Sequence, residues 1–211
     1  MKRTFLVAVA VFVAMFVSGC GGGDNRPPLN VTDIVSDGGT NDGDITNSSG
    51  FYSIVTSDQP PYTVVVDYQG PSFETRGFLT FSLASIPVDA AIQRATVFLP
   101  IFGVAPTGGN SNVTLFPDMV EFPPLNPTWN QATMQSVFDT AWIWQHPGFN
   151  VAQNASLVSF DATDAVIEAN RPPPLATLQI RLMSAGGLVE IDDLYDPVTQ
   201  TGAPVLRVEY F

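Results

Sequence analysis

The chain has 211 residues, 20 acidic against 8 basic, with 45% hydrophobic and 13% charged side chains: enough apolar content for one core, too little length for a second large domain. A net charge of −12 argues against nucleic acid as a partner, because phosphate binding needs clustered Lys and Arg. Every basic residue after Arg3 is an arginine, which excludes Schiff-base and lysine-base chemistry beyond that point.

Met1 to Cys20 has the plan of a bacterial secretion signal: Lys2-Arg3, an apolar run from Phe5 to Val17, then Ser18-Gly19-Cys20. That run of 13 residues falls short of the ~20 a helix needs to cross a bilayer. Val17-Ser18-Gly19-Cys20 resembles a lipobox, so residues 1–19 are expected to be removed and Cys20 to carry diacylglycerol as the mature N-terminus. The alternative is an ordinary secretory signal that happens to contain cysteine. Without Lys2 and Arg3, six basic residues face twenty acids, a net charge of −14. Each acyl CH₂ buried in lipid contributes ~0.8 kcal/mol, so the chain is anchored to a membrane without spanning it. In lipoproteins of this kind Gly21, in place of Asp, implies the outer membrane. A single cysteine also means that no internal disulfide supports the fold.

Residues 20–50 are dominated by Gly, Asp, Asn, Ser, Thr and Pro, with large aliphatics as sparse as Leu29, Val31, Ile34, Val35 and Ile45. This composition predicts a flexible linker. Within it, Asp37 to Asp44 invites a calcium reading but fails the helix-loop-helix template, and solvated linker is the preferred reading. From Phe51 onward nine short alternating or β-branched runs recur between turn residues: 51–56, 62–68, 77–83, 91–101, 113–116, 156–160, 176–183, 188–191 and 205–210. The expected fold is all-β, a jelly-roll-like antiparallel sandwich of about nine strands over residues 51–211. Leu79, Phe81 and Leu83, and again Leu206, Val208 and Tyr210, alternate with polar residues and belong in the core. One short helix is expected over Thr163 to Ala169, with Asp161 placed to cap it and the Pro172-Pro173-Pro174 run beyond its end.

Four segments occur in an order that resembles the DNRLRE domains, which are also grouped among carbohydrate-binding modules. They are Arg76-Gly77-Phe78-Leu79-Thr80-Phe81-Ser82-Leu83 leading through Ile86-Pro87 to Ala95-Thr96-Val97; Pro127-Thr128-Trp129 with Trp144-Gln145-His146-Pro147-Gly148; Phe160-Asp161-Ala162-Thr163; and Pro204-Val205-Leu206-Arg207-Val208-Glu209-Tyr210. They cover roughly residues 76 to 211, while the string that names the family is absent and Ser82 stands where it usually has Asp. The resemblance implies a jelly-roll-like sandwich on a secreted protein, packing roles for Trp129 and Trp144, and in some members polysaccharide binding.

His146, the single histidine, lies in a turn-like segment with no Gly-x-Ser-x-Gly elbow in the chain, so no enzyme is expected. Sugar faces stack on aromatic rings, which makes Trp142, His146 and Phe149 the candidate platform, and Arg94 and Arg181 candidate clamps for acidic groups. For either tryptophan and any one arginine, core packing or surface pairing is the competing role. Glu190, Asp192, Asp193 and Asp196 form the densest acidic set, open to two readings, a structural calcium site or a solvated loop. No other cofactor is expected. The sequence thus predicts a lipid-anchored envelope protein with a non-catalytic carbohydrate-binding or adhesion module. The alternative is a structural or assembly lipoprotein that packs on another envelope or matrix protein.

Overall fold

One long strand joins the two leaves of the structure. The computed structural model describes residues 28–39, 41–194 and 202–211. Its elements are β1 (Asn30–Val35), β2 (Gly43–Ser48), β3 (Phe51–Thr56), β4 (Thr63–Gly70), β5 (Phe73–Ser82), β6 (Ile92–Pro106), β7 (Asn112–Met119), α1 (Gln131–Phe138), β8 (Trp144–Gln145), β9 (Phe149–Ala152), β10 (Leu157–Asp161), α2 (Thr163–Ala169), β11 (Thr177–Ala185), β12 (Gly187–Asp192) and β13 (Val205–Tyr210). The first half of β6 pairs with β13 and β10, and its second half with β12. One leaf therefore runs β1-β13-β6-β10, and the other runs from β6 through β12, β4, β5 and β11 to β7, with β8 and β9 on β7 and the β2-β3 hairpin on β5. All pairings are antiparallel.

The fold is all-β and antiparallel, as expected. Leu79, Phe81 and Leu83 from one leaf meet Leu206, Val208 and Tyr210 from the other in the main core, joined by Val97, Leu99, Ile180, Leu182 and Ile191. Strand β5 is apolar on its opposite face as well: Phe78 belongs to a second cluster with Ile45, Tyr52, Phe122, Met134 and Phe138, roofed by α1. All nine expected strands form. Asp161 is not the cap of α2 that the sequence suggests: Ala162 holds that position without a side-chain bond, and Asp161 Oδ1 takes the Thr163 N–H from one residue earlier (2.8 Å).

Three features depart from expectation. Residues 30–35 and 43–48, assigned to a linker, are strands, so the sandwich does not begin at residue 51. Their stability comes from distant partners that local composition does not reveal: Ile34 lies opposite Leu206, Asp33 faces Arg207 in a two-pronged ion pair (both bonds 2.7 Å), and Ile45 is fully buried. The described residues form thirteen strands, with β8 and β9 too short for an alternation signal. A second helix, α1, is capped by Asn130, whose side chain accepts the Thr133 N–H at 3.0 Å.

Arg181 is not available to a ligand. It is only 4% exposed, sits opposite Asp118 across the β11–β7 pair, and binds Asp118 Oδ2 at 2.7 Å. Its second arm donates to the carbonyls of Phe138 (3.1 Å) and Thr140 (2.7 Å). Arg76 donates to the same Phe138 carbonyl at 2.6 Å and lies over the Phe138 ring. Two guanidinium groups thus meet the negative, carbonyl-rich C-terminus of α1.

Removing Arg181 would leave Asp118 buried and unpaired, which costs about 3–5 kcal/mol, whereas an exposed pair contributes at most about 1. Urea denaturation should show a loss of the first size in Arg181→Ala and of the second in Arg207→Ala. A fragment starting at Phe51 would lose β1 and β2, uncovering Leu206 and Phe78. Circular dichroism is expected to show no cooperative thermal transition for it, against a sharp one for the full chain.

Candidate groove between strand 8 and helix 2

Downstream of the Arg181 clamp, the chain is laid against β7 by backbone bonds. Ile143 N–H donates to the Met119 carbonyl (2.7 Å), Trp144 and Gln145 pair with Met119 and Asp118, and His146 N–H donates to the Pro117 carbonyl (2.9 Å). The turn that follows requires glycine: Gly148 has φ +94°, and a Cβ there would stand 2.8 Å from the Phe116 ring. Gly148 N–H donates to His146 Nδ1 at 3.0 Å, so the neutral imidazole carries its proton on Nε2. The His146 ring is held edge-on by Trp144, Phe149 and Phe160, with centroids 5.6 to 6.0 Å away. Burial pushes its pKa below the ordinary value, opposed in part by the Asp161 charge.

The opposite wall comes from the start of β6 and the entry to α2. Thr163 Oγ1 accepts the Ala95 N–H (2.9 Å) and donates to Asp161 Oδ1 (2.6 Å). These bonds from Thr163 hold the Asp161 carboxyl below the usual range, so it is an anionic acceptor. Between the walls lies an open groove of about 660 Å³, lined by Gln93, Arg94, Trp144, His146, Asp161 and Asp164 among others. Arg76, Arg171, Arg181 and Arg207 each have a carboxylate partner; among the described residues Arg94 alone has no ion-pair partner.

The structure regroups the sequence candidates. Arg94 and His146 come together in the groove, and Phe149 supports His146 from behind, stacked on Phe160. Trp144 serves twice, packing on the core and lining the groove, while Trp142 is 56% exposed outside the lining. Trp129 packs on the second cluster. Sequence reasoning misses Gln93, Asp161, Thr163 and Asp164 as site residues; the Phe-Asp-Ala-Thr motif carries a signal, but the sequence assigns it to the family resemblance and to a helix cap rather than to a ligand site. Of the acidic set, Asp196 lies outside the described residues, as does Cys20. Glu190 and Asp192 are half-exposed on one face of β12, but Asp193 turns inward to Ser36. Among the described residues no group of three His, Cys, Asp or Glu side chains gathers to hold a metal, and no helix is long and apolar enough to cross a membrane.

A smaller cavity of about 260 Å³ opens on the outer face of the second leaf, with Asp44, Asp67, Thr46, Thr63 and Thr75 among its lining. Asp44 lies opposite Gly77, and its carboxylate accepts the Val65 N–H on β4 at 3.2 Å. Burial pushes the Asp44 carboxyl up to about 7.

Neither a protein-family model nor a curated protein matches the chain.

Because the folded pKa of Asp44 exceeds its unfolded value near 3.8, its contribution to stability is complete below that value and is lost as pH rises through about 7. Urea midpoints measured from pH 5 to 8 should therefore fall less in Asp44→Asn than in the parent chain. A carboxyl carbon titrating in the ordinary Asp range by NMR would refute the assignment.

Proposed function

We propose that this chain is a lipid-anchored, non-catalytic protein of the bacterial envelope whose sandwich binds carbohydrate in the groove between β8 and α2. The observation that carries this reading is one cleft that sets an indole and an imidazole beside the polar ends of Gln93, Arg94 and Asp161. Sugar C–H faces stack on aromatic rings while their hydroxyls seek donors and acceptors at a polar rim. One unpaired arginine against two carboxylates, on a strongly acidic chain, favours a neutral polysaccharide over an acidic one. Lipidation of Cys20, with Gly21 after it, would hold the module at the outer membrane.

An assembly role has one observation of its own. Phe51 and Val55 stand on one face of β3, 75% and 49% exposed, an apolar surface on which another envelope protein could pack.

Affinity electrophoresis of the full chain through gels containing neutral or acidic polysaccharides separates the two readings. Retardation by a neutral polymer is expected, lost in Arg94→Ala and Gln93→Ala, both exposed positions, and kept in Trp142→Ala. No retardation on any polymer, or retardation that follows Trp142 alone, would sink the groove as a glycan site.

A further inference from the structure

Two carboxylates from opposite ends of the chain meet beneath the surface, away from the groove. Asp42, in the loop before β2, is fully buried; Asp193, just after β12, is 8% exposed. Asp42 accepts the backbone N–H groups of Thr80 (2.7 Å) and Gly38 (3.2 Å). Asp193 Oδ1 accepts the Ser36 hydroxyl (2.9 Å), but Asp193 Oδ2 is buried with no partner. That free oxygen faces Gly38, where a Cβ would lie 3.9 Å from it.

Burial raises the pKa of both groups, and the Asp193 charge raises that of Asp42 further. Asp192 adds negative charge beside Asp193, and four of the described arginines are engaged elsewhere while Arg94 lines the groove. A buried pair of like charges needs a counter-ion, or one member must hold a proton. Oxygen donors surround the pair. The Ser36 hydroxyl is bonded to Asp193 Oδ1, and the Ser57 hydroxyl lies 3.5 Å from the Gly39 carbonyl, beside the Gly38 that Asp193 Oδ2 faces. Carboxylate, hydroxyl and carbonyl oxygens, completed by water, are the ligand set of a hard cation that takes six to eight oxygens and does not need three carboxylates.

We propose that Asp42 and Asp193, with the Ser36, Ser57 and Gly39 oxygens, bind a calcium ion that clamps the loop before β2 to the end of β12. The site differs from the acidic set read in the sequence, since it excludes Glu190 and joins Asp193 to the loop assigned there to solvated linker. It is independent of the carbohydrate reading.

The test uses the full chain stripped with EDTA, dialysed, and titrated calorimetrically with CaCl₂ and separately with MgCl₂, with thermal melts alongside. Saturable calcium binding and a melting temperature that rises with calcium concentration are expected. Binding should weaken at least tenfold in Asp193→Asn and in Asp42→Asn, and stay unchanged in Asp89→Asn, an exposed acid far from the pair. Two variants are used so that failure of one to fold leaves the other to decide. Absence of saturable heat and of any calcium-dependent melting shift would overturn the proposal, with a shared proton then holding the pair. An equal response in Asp193→Asn, or equal affinity for magnesium, would overturn it too.

Discussion

Arg181 is the cation on which the groove's aromatic wall depends. Its guanidinium is buried against Asp118, yet Arg181 Nε and Asp118 Oδ1 have no partner, so the pair is a costly arrangement as electrostatics. Its value lies in direction. By holding the carbonyls of Phe138 and Thr140, Arg181 ends α1 at a fixed point and aims the next residues along β7. Trp144 and His146 reach the groove because Asp118, Arg181's partner, lies on the strand that receives β8. A residue that sequence analysis offered as a ligand clamp is thus a positioning group one step removed from the ligand wall.

Polar side chains replace apolar area wherever the chain's ends are tied in. Strand β1 has few large apolar residues to bury, and Asp33 with Arg207 adds a directional contact to its pairing with β13. The loop before β2 is drawn in by Asp42, whose carboxylate replaces backbone partners for Thr80 and Gly38. Asp44 does the same for Val65 where β4 and β5 diverge. Backbone N–H groups left open at such places must be met by some acceptor, and this acid-rich chain meets them with aspartate. The consequence is a set of interior carboxyls whose protonation and counter-ions bear on stability.

The nine strands were legible because period-two alternation and turn residues are local signals, and Leu79, Phe81 and Leu83 lie in the core where that alternation put them. Strands β1 and β2 were not, since composition cannot show that Ile34 meets Leu206 across 172 positions, or that Asp33 meets Arg207. Helix α1 was hidden for another reason: only Met134, Val137 and Phe138 are buried, a face too short to stand out. For the site, aromatic and arginine types named Arg94 and His146, but they pointed to Trp142 for the indole, which lies outside the groove, while Trp144, given a packing role, lines it. Residue type alone could not separate Arg94, which is unpaired and exposed, from Arg181, which is paired and buried; only the position of Asp118 does that.

The groove divides into fixed and loose parts, and the division bears on how it would recognise a ligand. Asp161 is fixed by Thr163, Thr163 by Ala95, and His146 by Gly148 and three aromatic neighbours. These groups lose little freedom on binding, so a ligand hydroxyl that meets them keeps most of the interaction energy. Gln93, Arg94 and Gln145 are exposed and lose rotamer entropy when they close on a ligand. On the proposed carbohydrate reading, the fixed wall would set which sugar orientation is accepted, and the loose wall would tolerate variation in what extends beyond it. That is the arrangement expected of a module that holds a repeating polymer, where one unit must register and its neighbours need only fit.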